Sequence, residues 1–249
     1  MFKISIITVC YNAENIILPT LKSVLKQGFD QYEHIIVDGD SNDRTKEIIS
    51  SYASHPKITV ISEKDTGVYD AMNKGLVLAK GEYVLFLNAG DELAHENTLN
   101  QIFAYAANSD LIYGETNILD KDRKYLGTRS QLTSRKLPQN LCKKDFLNGQ
   151  VVSHQSFIPK RVLCKPYELK YRCSADINWM LEIIDRCKTI HKTNEPISNY
   201  LQGGISDTQL VRCWKERFFI LLNHFNPVLV LWRHLLFVLR YVRYGAYRN

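Results

Sequence analysis

The sequence predicts an α/β fold with a single, mostly parallel central sheet flanked by helices and a C-terminal helical appendage. Three observations carry this. Short apolar runs rich in β-branched residues alternate with stretches whose apolar residues recur at helical spacing. The connections between them are short, as in consecutive strand–helix units. Each of the first four apolar runs ends in a polar turn that contains an acid. With 249 residues, 45% of them hydrophobic, the chain can bury a sizeable core and is not a disordered polymer.

Residues 4–9 form a short β-branched run and read as a buried strand. Asn12 is placed to cap a helix whose apolar positions are Ile16, Ile17, Leu21, Val24 and Leu25, with Gly28 as its stop. A second strand covers 34–37, and Asp43 is placed to cap a helix reaching about residue 53. A third strand, 58–61, precedes a helix marked by Tyr69, Met72, Leu76 and Ala79 that ends at Gly81. A fourth strand, 83–87, precedes a helix marked by Leu99, Ile102, Phe103 and Ala106. Residues 111–113, 116–119 and 125–128 read as short strands. Residues 129–149 read as a polar, mobile loop, 153–158 as a strand, and 174–187 as a helix with Ile177, Met180, Leu181 and Ile184 on one face.

The net charge of +6 is localised. From Arg212 onward there are Arg212, Lys215, Arg217, Arg233, Arg240, Arg243 and Arg248 against the single acid Glu216, and the remainder balances 25 basic with 25 acidic residues. A neutral body with a basic tail is not the pattern of a nucleic-acid binder. The tail reads as two helical segments broken at Pro227. In the second, Val228, Leu231, Trp232, Leu235, Leu236, Leu239 and Val242 share a face opposite Arg233 and Arg240. Arg233-His234 interrupts the apolar run below the length of a membrane span. A division follows into residues 1–205, a catalytic domain, and 206–249, a basic amphipathic tail. The aromatic stripe from Trp214 to Trp232 suits packing on the domain, on a second copy in a homo-oligomer, or on lipid, and a membrane-surface role is preferred. The six cysteines form no C-x-x-C pair, and the N-terminus lacks a signal-peptide layout. The expectation is a cytoplasmic protein, peripheral on the cytoplasmic face of the inner membrane.

Ligands of open α/β sheets sit at the carboxyl ends of the strands. Those ends here carry Cys10-Tyr11-Asn12-Ala13-Glu14, Asp38-Gly39-Asp40-Ser41-Asn42-Asp43, Glu63-Lys64-Asp65-Thr66-Gly67 and Asn88-Ala89-Gly90-Asp91. No G-x-G-x-x-G and no P-loop is present. Carboxylates repel a diphosphate, but they can hold base and ribose donors, or a cation that in turn holds the diphosphate. Asp40, Glu63 and Lys64 read as solvated groups, and Asp43 reads as a helix cap rather than a ligand.

The text I-I-T-V-C-Y-N-A-E-N at 6–15, I-I-V-D-G-D-S-N-D-R-T at 35–45, S-E-K-D-T-G-V-Y-D-A-M-N-K-G at 62–75 and F-L-N-A-G-D at 86–91 resembles family 2 glycosyltransferases of the GT-A fold. S-H-Q at 153–155 and S-A-D at 174–176 extend the resemblance to about residue 205. It is similar to bacterial transferases that build capsule, exopolysaccharide or O-antigen units. The resemblance implies an inverting transfer of a sugar from a nucleoside-diphosphate donor, a UDP-sugar, to a saccharide or lipid-linked saccharide acceptor. It implies that Tyr11 and Glu14 contact the base, Asp38 the base or ribose, and Asp65 the base or nearby sugar. Asp70 and Lys74 lie one helical turn apart, and Lys74 either balances diphosphate charge or pairs with Asp70. Asp91 matches the last acid of the family's metal motif, for Mg²⁺ or Mn²⁺, and Asn88 stands where many relatives begin that motif with Asp. Asp176 matches the catalytic base. His154 contacts acceptor or diphosphate, or is a satisfied buried histidine, and Gln155 carries the same two readings. The competing functions are a sugar-nucleotide pyrophosphorylase, against which the missing glycine-rich basic loop counts, and a non-catalytic sugar-nucleotide-binding protein.

Overall fold

The computed structural model describes residues 2–106, 108–203 and 210–244, with side chains of 148, 210 and 236–244 excepted. Gly204, Arg248, the 205/206 boundary and the side chains of Leu236, Leu239, Arg240, Val242 and Arg243 lie outside the described residues.

The centre is a parallel sheet in the order β3-β2-β1-β4. Its strands are β1 (Ile4–Cys10), β2 (Tyr32–Asp38), β3 (Ile58–Ser62) and β4 (Tyr83–Phe86). Every residue of β1 and β2 is buried, and the polar residues among them are paired inside the sheet layer, Ser5 with Glu33 and Thr8 with His34. Helices α1 (Ile17–Leu25), α2 (Thr45–Ser50) and α3 (Val68–Leu78) form the crossovers. An antiparallel bridge from Tyr83 to Lys160 continues the sheet into β9 (Phe157–Pro159), β6 (Leu111–Tyr113) and β10 (Ile190–Lys192). A second sheet, in the order β5-β11-β7-β8, combines β5 (Glu92–Leu93), β11 (Ser198–Leu201), β7 (Thr116–Leu119) and β8 (Tyr125–Thr128). Helix α4 (Thr98–Ala106) precedes β6, and α6 (Ala175–Ile184) precedes β10.

Several local expectations are corrected. Asn12 does not cap α1; it takes a left-handed φ of 48°, and its Oδ1 accepts from the Asn42 amide, tying the first strand-end loop to the second. Residues 129–149 are folded. A Thr128–Gln131 capping box starts α5 (Arg129–Leu132), while Leu141, Phe146 and Leu147 are buried in the main core. The Tyr113 hydroxyl donates to the carbonyls of Pro138 and Gln139 and accepts from Leu141 N–H, fastening the segment. Residues 154–156 are a 3₁₀ turn rather than strand, because Ser156 Oγ turns inward to Glu115 O and Ser198 Oγ.

The tail folds against the body. Helix α7 (Leu210–His224) buries Ile220 and Leu221 in the main core, and α8 (Pro227–Tyr244) adds Val230. Pro227 sits at the first helical position, where its missing N–H costs nothing, and Asn226 Oδ1 accepts from Val228 N–H. Phe218 packs edge-on to His234, so α8 folds back along α7.

One contact sets the height of α3 above the sheet. A Cβ built on Gly75 would lie 2.4 Å from Ile7 Cγ2 and 3.3 Å from Val37 Cγ2. Gly75→Ala should therefore lower stability by about 1–2 kcal/mol in chemical denaturation, overpacking outweighing the gain in helix propensity. An unchanged or raised midpoint would show that α3 can lift freely.

Candidate active site

Parallel strands bring the ends of β1, β2, β3 and β4 to one edge, and the strand order reverses between β1 and β4, opening a crevice there. At the β2 end Gly39 is required by close approach. A Cβ there would meet Asp65 Oδ2 at 2.3 Å and Tyr11 Cδ2 at 3.4 Å. Tyr11, 60% exposed, and Asp65 thus share one small platform. Asp65 Oδ1 accepts from Gly67 N–H at 2.9 Å, leaving Oδ2 toward Gly39.

Asp38, expected to contact the base or ribose, lies at the end of β2. It is fully buried, and its oxygens accept from Ser41 N–H, Ser41 Oγ and Ser62 Oγ. Its carboxylate shapes the turn that carries Gly39. Glu14 is likewise engaged, its Oε2 accepting from Arg44 N–H at 3.0 Å while its own N–H donates to Asp43. Asp43, expected to cap α2, lies one residue before its N-cap Arg44, and its Oδ1 accepts from Thr45 N–H. Asp40 pairs with Lys46, which holds its carboxyl below the usual range.

At the start of α3, Asp70 Oδ2 accepts from Thr66 N–H and Oγ1. Lys74 does not pair with Asp70. It bonds to Lys64 O at 2.7 Å and Glu63 at 3.0 Å, pinning the 63–67 loop, so Glu63 is not an idle surface group.

The end of β4 supplies Asn88 and Asp91. Asn88 Nδ2 lies 3.3 Å from His154 Nε2, and its buried Oδ1 has no partner. Burial holds the His154 pKa below its ordinary value, with the field of Asp176 pulling the other way. His154 thus stands near both Asn88 and Asp176. Gln155 is buried beside it. Asp91 is 5% exposed, and one oxygen accepts from Leu201 N–H at 3.3 Å. Burial pushes its carboxyl up to about 8, against the opposing pull of that hydrogen bond and of Arg123. Arg123 itself pairs with Glu92 and reaches the carbonyls of Gly90 and Ile16.

Asp176 stands in the first turn of α6. Tyr69 OH donates to Oδ1 at 3.1 Å and Gln150 Nε2 to Oδ2 at 3.1 Å. Tyr69 belongs to an aromatic stack with Tyr167, Phe86 and Trp179, so its hydroxyl has a fixed origin. The result is one anionic oxygen pair, 9% exposed, gripped from two sides.

A sequence model of glycosyl transferase family 2 matches residues 5–163. The chain belongs to glycosyl transferase family 2. A PGL/p-HBAD biosynthesis glycosyltransferase of Mycobacterium tuberculosis is 30% identical over 214 residues, covering 82% of this chain and 79% of its own. A poly(ribitol-phosphate) β-N-acetylglucosaminyltransferase, TarP, of Staphylococcus aureus is 34% identical over 129 residues, 49% of this chain and 39% of its own. Among solved structures, S. aureus TarS 1-349 in complex with UDP-GlcNAc superposes with a TM-score of 0.73 at 18% identity, covering 98% of this chain and 73% of that TarS 1-349 chain. That likeness establishes the GT-A arrangement of strands and crossovers for this glycosyltransferase.

Whether a divalent cation fits can be judged from the donors. Asn88 Oδ1 and the Asp91 carboxylate are hard oxygens, one orphaned and one poorly compensated, as expected of groups that complete their shells with a cation. Among the described residues no three His, Cys, Asp or Glu side chains gather into a metal site. A cation here would draw its remaining ligands from diphosphate and water.

The structure also brings to these carboxylates residues to which the sequence reading gave no role. Tyr69 reads as one more apolar position of α3, Gln150 falls in a stretch read as a loop, and Leu201 contributes only its backbone. The Y-D-A-M-N-K-G text holds the one available signal, a tyrosine on the buried face of a helix that opens on the site.

The Asp91 shift gives a pH test. A carboxyl raised above its unfolded value stabilises the fold while protonated, a contribution complete below about pH 4 and lost as pH climbs through about 8. In cation-free buffer the melting temperature should fall between pH 5 and 8 more steeply for wild type than for Asp91→Asn. Parallel curves would remove Asp91 as the source.

Proposed function

We propose that this glycosyltransferase transfers one sugar, with inversion, from a UDP-sugar to a saccharide or lipid-linked saccharide acceptor in bacterial surface-polysaccharide synthesis. The observation that carries the reading is the Asp176 carboxylate, oriented by Tyr69 and Gln150 beside the crevice whose other walls are strand-end loops. Tyr11 offers a ring face to a base, and Asp65 offers Oδ2 to base or sugar donors. Asp38, Glu14 and Asp70 serve this platform by shaping its loops. Lys74 fixes the 63–67 loop. The names of relatives in PGL and poly(ribitol-phosphate) chemistry support an acceptor of the surface-polymer class.

In the mechanism, Asp176 accepts the proton of the attacking acceptor hydroxyl as oxygen meets the anomeric carbon. Tyr69 and Gln150 hold its oxygens at fixed angles, which lowers the entropic cost of reaching the reactive geometry. His154 and Asn88, in contact with each other, lie between the proposed base and the β4 strand end. Asp91 and Asn88 would hold Mg²⁺ or Mn²⁺, which when bound supplies positive charge to the departing diphosphate.

For the tail, α8 turns Val228, Leu231, Trp232 and Leu235 to solvent, each at least half exposed. Among the described residues no helix is long and apolar enough to cross a membrane. The reading is a peripheral, cytoplasmic-face protein that rests on anionic lipid through this face. Removing everything after residue 204 would also strip Ile220 and Leu221 from the core, so point substitutions are the cleaner test. Trp232→Ser with Leu235→Ser should abolish sedimentation with phosphatidylglycerol vesicles while leaving turnover of a water-soluble acceptor unchanged. Continued sedimentation would reject the lipid reading.

The catalytic reading is tested by nucleoside diphosphate release from a panel of sugar nucleotides, with and without Mn²⁺. UDP-sugars should be the donors turned over. Asp176→Asn should lose turnover by roughly 10²-fold or more, with donor affinity kept within about threefold. Equal turnover in the variant would remove Asp176 as base, and cellular function intact in that variant would favour a non-catalytic sugar-nucleotide-binding protein.

A further inference from the structure

Residues 172–174, the turn that enters α6, are held from an unexpected direction. Glu216 of α7 accepts three consecutive backbone N–H groups: Arg172 N–H at Oε1, 2.9 Å, and Cys173 and Ser174 N–H at Oε2, 2.8 and 3.0 Å. Ser174 is the N-cap of α6, yet its side chain makes no capping bond. Its Oγ instead donates to Cys213 O on α7 at 3.3 Å. An N-cap side chain would bond amides inside the first turn. Here the tail helix instead holds the N-cap amide and the two before it, and supplies negative charge at the positive end of the helix dipole.

Glu216 is itself fixed. Its side chain is 12% exposed, and Arg212, one turn earlier, bonds Oε1 at 3.2 Å. One turn further along α7, Ile220 and Leu221 anchor the helix in the core. Arg172 extends the connection, since its guanidinium donates to Thr66 O in the loop that carries Asp65 and Gly67. The turn 172–174 therefore joins the tail helix, the start of the helix bearing Asp176, and the loop proposed to hold the donor.

We propose that Glu216 is a positioning residue for Asp176, and that α7 is thereby a working part of the acceptor side of the active site. The proposal rests on the reading of Asp176 as the base. Asp176 lies only two residues beyond Ser174, so its carboxylate direction follows the first-turn backbone that Glu216 clamps. Without the clamp, three N–H groups turn to water and the first turn loosens. Tyr69 and Gln150 then hold a carboxylate whose backbone no longer stands still. A displacement of about 1 Å in a reacting group can cost on the order of 10²-fold in rate.

A plain stabilising anchor would lower the melting temperature and leave the chemistry of folded enzyme alone. The two are separated by a double-mutant cycle on the full chain, with kcat from nucleoside diphosphate release and donor affinity from calorimetry. Glu216→Ala should lower kcat by roughly tenfold or more while donor affinity stays within about threefold. In the Asp176→Asn background the same substitution should cost less than about twofold, because no base remains to be positioned. Glu216→Gln, which keeps one acceptor oxygen and the shape, should recover part of the loss, and it carries the cycle if the alanine variant does not fold. Equal losses in both backgrounds, or undiminished kcat in Glu216→Ala, overturn the role of Glu216 while leaving Asp176 as base. Wild-type turnover in Asp176→Asn alone instead overturns the base assignment beneath it.

Discussion

The structure depends on β1 being hydrogen-bonded in parallel on both sides, to β2 along its whole length and to β4 along its first half. A buried strand in that position must satisfy its backbone within the sheet and bury both faces, so the polar side chains it carries, Ser5 and Thr8, are used up in buried hydrogen bonds with Glu33, His34 and the Leu87 carbonyl. Polar chemistry is displaced to where the strands stop. Because the strands are parallel, all stop at the same edge, and the reversal of order between β1 and β4 leaves that edge open. Tyr11, Gly39, Asp65 and Asn88 meet there for this reason, although up to 77 residues separate them in sequence.

The same edge concentrates carboxylates, and the structure divides them by how their charge is met. Asp38 accepts from its own turn and from Ser62 of β3, Asp70 accepts from Thr66 of its own turn, and Glu14 and the 43–44 segment exchange bonds across two loops. These acids build the loops. Asp91 is met by a single long hydrogen bond and is pushed toward its neutral form. Asp176 is met by two side chains rather than by backbone, so its direction is set without covering it completely. An incompletely compensated buried acid is costly to keep, which makes Asp91 a better guide to chemistry than the fully bonded Asp38.

This division marks the limit of what the sequence reveals. The Rossmann-like half was legible because short β-branched runs and period-3.6 patterns follow directly from burial, and the strands of the central sheet emerge within a residue or two of their expected ends. The short strands β5, β10 and β11 were not, since segments of two to four residues with polar members exist only through their partners. Asp38 reads as a ligand by its motif, and the motif gives no hint of the Ser41 and Ser62 hydroxyls that bond it. Residues 129–149 read as loose by composition, yet Leu141, Phe146 and Leu147 find a core whose other half lies elsewhere in the chain. In the tail, Glu216 was only the lone acid in a basic segment. Its partners lie about forty residues away, at a distance that no local pattern records.

Gly75 carries a different kind of consequence. Helix α3 rests on β1 where a hydrogen atom faces the Ile7 side chain, and six residues earlier the same helix sends Tyr69 OH to Asp176. Positions 7 and 75 therefore share one volume, and any enlargement of either is transmitted as a lift of the helix that orients the proposed base. A smaller residue at 7 could admit a methyl at 75, so the two sites are free to vary only as a pair. Selection on the acceptor side of the reaction would then be written into the sequence as coupled change between two buried, chemically inert positions.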